Sequence, residues 1–269
     1  MTDARKLPTL YIPHGGGPCF FMEPRPPLPR HLWDGMAQHL RGIDAAVGVR
    51  PKAVLVISGH WEAALPTFNV AERPSLLYDY YGFPQHTYHL KYPVAGAVNL
   101  VPRARELLRA AGFDSDVDAK RGLDHGVFVP FMLIYPDASV PILQMSLQES
   151  LDPGLHLALG SALAPLRDEG VLIVGSGMSY HNLAAMFSGR GDAAAESFDG
   201  WLGDAMQDPA TRDANLSDWR AAAGATASHP REEHLIPLMV AAGAARGERA
   251  IRNYHEAITG KPISGFRFG

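Results

Sequence analysis

The 269-residue sequence contains a single cysteine, Cys19. An internal disulfide, a thiolate zinc cluster and a CxxC redox pair are therefore excluded, and any bound metal must be held mainly by nitrogen and oxygen. Long hydrophobic runs are missing too. The most extended, Leu235 to Ala245, falls short of the roughly 18 apolar residues that a membrane span requires. Met1 to Pro13 carries basic residues but only Leu10 to Ile12 as a continuous apolar stretch, too little for a signal-peptide core of about 7–15 residues. No membrane partner and a cytoplasmic location are expected. The formal net charge is −4 with no block of Lys or Arg, so a nucleic acid would find no basic footprint. Repeats, low-complexity tracts and long Gly/Ser linkers are absent, and the Pro-rich stretch from Glu23 to Arg30 is short enough to be an ordinary loop.

What is present is apolar residue in quantity, 46% of the chain against 19% charged, enough to bury a core in one α/β domain spanning residues 1–269. Short apolar runs at Thr9 to Pro13, Ala53 to Ser58, Val140 to Ser146 and Val171 to Ser176 predict buried strands. Helical patterns cover Val94 to Ala111, His125 to Ile134, Pro153 to Arg167 and Pro230 to Ala245. This alternation predicts a mostly parallel or mixed central sheet flanked by helices. The tail from Ala250 to Phe268 is expected to add one or two edge strands.

Histidine is abundant, with 12 copies. It is costly to bury unpaired and is the commonest side-chain metal ligand. In open α/β sheets ligands collect beyond the carboxyl ends of the strands, and there the sequence places several histidines. His14 follows the first strand and opens His14-Gly15-Gly16-Gly17, whose glycines let backbone approach a ligand closely; the spacings of phosphate-cradling loops are missing. His60 follows the second strand in Ser58-Gly59-His60-Trp61-Glu62, with Trp61 available to wall a pocket. His125 stands in the first turn of a helix behind Asp124, a natural N-cap. His181 follows the fourth strand beside Tyr180, a hydrogen-bond donor; a final glycine is lacking for a nucleophilic-serine elbow. His234 lies in Ser228-His229-Pro230-Arg231-Glu232-Glu233-His234, read as a helix opening in which Pro237 bends the helix and aims His234 or Glu233 inward. Each of these histidines has a structural reading beside the functional one, as a strand-end or helix-start residue hydrogen-bonded to backbone. What favours one mononuclear site, with His14 and His60 as its firmest ligands, is that separate strand ends deliver them to one crevice.

Taken in order, these segments, with Gly82-Phe83-Pro84, Tyr135-Pro136-Asp137, His181-Asn182-Leu183 and Glu233-His234-Leu235-Ile236-Pro237-Leu238, resemble the class III extradiol ring-cleavage dioxygenases. The resemblance is to the DOPA 4,5-dioxygenase-like branch of the protocatechuate 4,5-dioxygenase superfamily, and it covers nearly the whole chain. It implies a metal held by His14, His60 and His234, with His181 as acid/base and His125 as a second pocket histidine. In the wider superfamily a glutamate is the third ligand, which makes Glu233 the alternative to His234. The opening departs from the branch's commoner His-Gly-Ser-Pro, since Gly16-Gly17-Pro18 follow the histidine here, so the substrate wall is expected to differ.

The resemblance further implies an Fe(II) enzyme that opens a catechol-type ring with O₂ to give a semialdehyde. Three ligands on one face of the ion would leave room for both catechol oxygens and O₂. Zn(II) would bind the same nitrogens more tightly but has no redox chemistry to offer. Trp61, Phe83, Tyr180, His229 and Arg231 are expected around the substrate. Two other classes compete: a zinc hydrolase using Glu62 or Glu233 as base, and a metal-binding interaction protein without turnover. The latter would need neither His125 nor His181. The choice of catechol, the bond cut and the oligomeric state are left open by the sequence.

Overall fold

A computed structural model describes residues 6–187 and 192–269. Its eight strands are β1 (Thr9–Pro13), β2 (Ala53–Ala63), β3 (Thr67–Asn69), β4 (Asp116–Asp118), β5 (Ile142–Gln148), β6 (Val171–Gly177), β7 (Ala250–Ile258) and β8 (Lys261–Phe268). They form one mixed sheet in the order β4-β3-β5-β2-β6-β1-β8-β7. The centre, β5-β2-β6-β1, is parallel throughout, and β8 joins β1 antiparallel. The α/β architecture expected from the sequence is thus the one observed.

The central strands read as unbroken apolar runs because both faces are covered. Along β2, Leu55 and Ile57 enter one core and Val54 and Val56 the other, as the two-residue period of a strand requires. On the second face lie the helices α1 (Asp34–Val47) and α3 (His125–Ile134), with α2 (Val101–Ala110) and α4 (Pro153–Leu163) on the first. The short α5 (Leu183–Met186) follows β6, and α6 (Asp192–Ala205), α7 (Arg212–Ser217) and α8 (Ala225–Ser228) lead to α9 (Ile236–Ala245), which packs along α4 and over β6.

Three departures from the sequence reading bear on the site. The expected helix at Val94 to Ala111 starts only at Val101, with Pro102 in its first turn. Likewise the helix expected from Pro230 starts at Ile236, since Pro237 is tolerated in a first turn and not further in. His234 therefore sits in the turn ahead of α9, with its carbonyl free for other partners. The second strand runs on past Ser58 to Ala63, with its register shifting between Ile57 and Glu62, so His60 lies on the strand rather than after it. The tail supplies two strands as a hairpin, β7 at the sheet edge and β8 inside it, turning at Thr259-Gly260 where φ is 50° and 82°, as a two-residue hairpin loop demands. Among the described residues, no helix is long and apolar enough to cross a membrane.

Several histidines serve the fold. His156 donates from Nδ1 to Asp152 O (2.6 Å) and accepts at Nε2 from Gln148 N (3.1 Å). His229 is fully buried and donates from Nε2 to Ser179 O (2.9 Å). Burial lowers His156 and brings both His39 and His229 down to about 4. These groups are neutral when folded but would protonate near pH 6.5 when unfolded. Their contribution is fully present above pH 6.5 and is lost as the pH falls toward 4. Each removes up to about 1.4 kcal/mol per pH unit in that window. Urea unfolding of the metal-free protein should show its midpoint steady above pH 6.5 and falling steeply between pH 6 and 4.5.

Candidate metal centre and active site

The crevice at the carboxyl ends of β1, β2 and β6 opens as a cavity of about 600 Å³ whose floor holds His14, His60, His125, His181 and His234. His14 directly follows β1, and its amide donates to Gly177 O at the end of β6 (3.2 Å). His234 is brought over the same strand ends by its own backbone. Its carbonyl accepts from the Tyr11 hydroxyl (2.8 Å) and from Met178 N (3.1 Å). Burial pushes the Tyr11 phenol well above its usual range, so it remains a donor. This approach works only over bare backbone: a Cβ on Gly177 would overlap His234 O, and one on Gly175 would overlap Pro237 O.

Three imidazoles converge. His60 Nε2 is 3.3 Å from His14 Nε2 and 3.1 Å from His234 Nε2. The far nitrogens decide what lies between them. Ser176 Oγ donates to Gly126 O and so accepts from His14 Nδ1 (3.1 Å). His234 Nδ1 meets a carboxylate oxygen, Glu233 Oε1, at 2.8 Å. His60 Nδ1 faces Asp79 Oδ2 at 3.5 Å. His14 and His234 therefore carry their protons on Nδ1, and with the His60 proton likewise turned to Asp79 the three Nε2 lone pairs point at one another. That arrangement repels itself unless a cation fills it. Two nitrogens about 2.1 Å from one ion stand roughly 3.0 Å apart at octahedral angles and roughly 3.4 Å apart at tetrahedral ones, a range that contains both observed separations. The imidazoles are also in the form a metal needs. Burial first, then mutual repulsion among the cluster histidines, holds His14 and His234 well below the ordinary value and brings His60 to about 4.

The catalytic LigB subunit of aromatic ring-opening dioxygenase, as a family, matches residues 8–268. The chain belongs to this family. Among its relatives, the dioxygenase tasH of Hapsidospora irregularis is 38% identical over 97% of this chain and 85% of its own length. A protein of Mirabilis jalapa named 4,5-DOPA dioxygenase extradiol is 36% identical over 96% of this chain and 94% of its own, and one of the same name from Beta vulgaris is 45% identical over 73% and 74%. In the crystal structure of an uncharacterized protein from Escherichia coli K12, 98% of this chain and 100% of that one superpose with a TM-score of 0.76 at 27% identity. The protein is an extradiol, ring-opening dioxygenase of a metal-dependent family.

Around the dioxygenase trio, two carboxylates each hold one trio histidine and one further cavity histidine. Glu233 Oε1 receives His234 Nδ1 and, at 3.0 Å, His181 Nδ1; the rings of His181 and His234 stack with centroids 3.3 Å apart. Asp79 Oδ1 takes His125 Nδ1 (2.8 Å) and the His125 amide (2.9 Å), while Oδ2 faces His60. Burial pushes both carboxyls up, but the imidazole N–H donors outweigh it and hold both below the usual range. As anions facing two donors each, these carboxylates fit as hydrogen-bond acceptors behind the trio. In this geometry Glu233 lies behind His234, on its Nδ1 side.

Asp79 escaped the sequence reading. It sits in Tyr78-Asp79-Tyr80-Tyr81, in a loop fixed by backbone bonds from Leu77 N to Leu123 O and Leu123 N to Ser75 O (both 2.8 Å). It also takes the capping role expected of Asp124, whose side chain accepts from Ser58 Oγ (2.7 Å) and Gln144 Nε2 (2.5 Å) in the sheet. Only an acidic residue among tyrosines signalled it.

The expected substrate contacts fare differently. Phe83 lines the cavity. Trp61, next to His60 on an extended strand, points the other way and lies buried under the Arg121 guanidinium, 4.9 Å from its ring centre. Tyr180 and His229 are buried away from the cavity lining. Arg231 is spent on Glu62, Nη1 to Oε1 at 2.6 Å and Nη2 to Oε2 at 2.5 Å. The structure thus does not bring these four to the cavity: adjacency to a histidine in sequence does not place a side chain beside it in space.

Asp79→Asn should weaken metal binding by about 10–100-fold, as loss of such a supporting partner does, with the fold retained; competition against a chromophoric chelator measures it. Gly177→Ala must push the His234 carbonyl away and should cost both thermal stability and metal affinity, read by melting with and without metal.

Proposed function

We propose that the whole chain acts as one Fe(II)-dependent catalytic unit that opens a catechol ring beside its diol. His14, His60 and His234 would hold the iron, with His181 and His125 handling protons. The observation that carries this reading is that two of the trio histidines, His234 on Glu233 and His60 on Asp79, each share their carboxylate with a second histidine at the cavity floor. A passive metal site has no use for that second pair.

His181 keeps its proton on Nδ1, directed at the Glu233 carboxylate, so its Nε2 is a free base at the edge of the trio. A catechol hydroxyl loses its proton to that nitrogen, and Glu233 stabilises the imidazolium formed. His181 then returns the proton to the oxygen released when the ring opens. His125, fixed by both its amide and Nδ1 to Asp79, presents Nε2 from the other side and orients the second hydroxyl. Iron, when bound, supplies the electronic coupling between the aromatic substrate and O₂ that a closed-shell ion cannot. The apolar cavity wall keeps water from the reacting centre.

A zinc hydrolase finds less support. Its base would be a carboxylate beside a metal-bound water, but neither Glu233, on the Nδ1 side of His234, nor Glu62, clasped by Arg231, lines the cavity.

Anaerobic loading with Fe(II), followed by O₂ uptake with a panel of catechols, should give consumption and a yellow semialdehyde; full iron loading without uptake would sink the proposal. His181→Ala should keep its iron while kcat falls about 10²–10⁴-fold. Loss of iron in that variant would instead make His181 a ligand.

A further inference from the structure

Away from the histidine floor, the cavity wall is built from Met22, Leu28, Trp33, Phe83, Met178 and Met186. Among the described lining residues Asp79 is the only carboxylate, and both of its oxygens face imidazole N–H groups. Among the described residues, the one charged side chain along the apolar wall is Arg25, exposed at the mouth and donating to Gly82 O (3.0 Å). The rim has a further property. Tyr81, Leu183 and Phe187 stand there with 93%, 64% and 55% of their surface exposed, so three of the large exposed apolar side chains of the molecule gather at one opening. The volume of about 600 Å³ lies well inside the range of about 300–1,000 Å³ typical of sites for drug-sized ligands and leaves much space beyond a bare dihydroxybenzene.

We propose that this site takes a catechol carrying an extended apolar ring substituent and discriminates against one carrying an ammonium group. The proposal rests on the catechol reading above and names which catechols. With the diol at the trio, a ring substituent runs along the Met-, Trp- and Phe-lined wall toward Tyr81, Leu183 and Phe187. Each methylene placed there leaves water for an apolar surface. An ammonium in the same position finds no free carboxylate, loses hydration and meets the Arg25 charge at the mouth.

The test is calorimetric binding to the zinc-loaded protein, run beside O₂ uptake by the iron-loaded protein. The ligands are catechol, 4-methyl-, 4-propyl- and 4-pentylcatechol, and dopamine. Affinity should rise roughly threefold to fourfold per methylene, and dopamine should bind at least about tenfold more weakly than 4-propylcatechol. A flat alkyl series, or an ammonium compound binding as tightly as 4-propylcatechol, overturns the proposal. Absence of O₂ uptake with every catechol, while the calorimetric order holds, removes the dioxygenase reading and leaves the specificity standing. Leu183→Glu, at an exposed position in the first turn of α5, adds a carboxylate at the rim without touching the core. It should narrow the gap between dopamine and 4-propylcatechol about fivefold or more; an unchanged gap would show that the substituent does not reach this rim and overturn its placement.

Discussion

The carbonyl oxygen of His234 accepts two hydrogen bonds, one from the Tyr11 hydroxyl on β1 and one from the amide of Met178 just past β6, and the geometry of the site depends on that junction. His14 is tied to the same strand pair through Gly177 O. Two of the converging imidazoles are thus referenced to one rigid piece of sheet, although 220 positions separate them in the chain. The third, His60, comes from β2, which pairs with β6 along its first half. Parallel strands with helices on both faces deliver their ends to one side of the molecule, and the bare backbone at Gly175 and Gly177 lets the turn before α9 settle onto those ends.

Charge balance follows from the same construction. The trio itself is neutral, and two anions that face it, Asp79 and Glu233, each sit behind one trio histidine and one further cavity histidine. A divalent cation between the imidazoles meets two negative charges at one remove, so the burial of its charge is largely offset without a carboxylate in its own coordination. The same two anions face the Nδ1 atoms of His60, His125, His181 and His234, and Ser176 takes that of His14, which leaves Nε2 of each histidine turned to the floor.

How much of this could be read from the chain depended on whether a residue's position is set locally. His14 and the strand before it were legible because an unbroken apolar run followed by glycines has few other readings. His60 was legible as a site residue, although its strand runs further than the apolar run does. His181 and His125 were found as strand-end and helix-start residues. His234 was found, yet its helix was begun six residues too early, because the weight of Pro237 as a start signal was given to Pro230. Asp79 was missed because nothing local sets it beside His125; a loop pairing with Leu123 does. Trp61, Tyr180, His229 and Arg231 were assigned by sequence proximity to histidines. The alternation of an extended strand, full burial and a better-placed partner in Glu62 each carried them elsewhere.

The placement of the protons has a consequence for how metal enters. An ordinary histidine site near neutral pH must shed protons to bind an ion, so its affinity slopes with acidity. Here burial and crowding have already stripped His14, His60 and His234 of any second proton well above their depressed titration range, and the protons that remain are on nitrogens that Ser176, Asp79 and Glu233 keep for themselves. With these three as ligands, metal capture at neutral pH would be a bare exchange of water for nitrogen. Its outcome would be set by which ion is at hand and how well that ion suits imidazole, and the acidity of the surroundings would have little part in it.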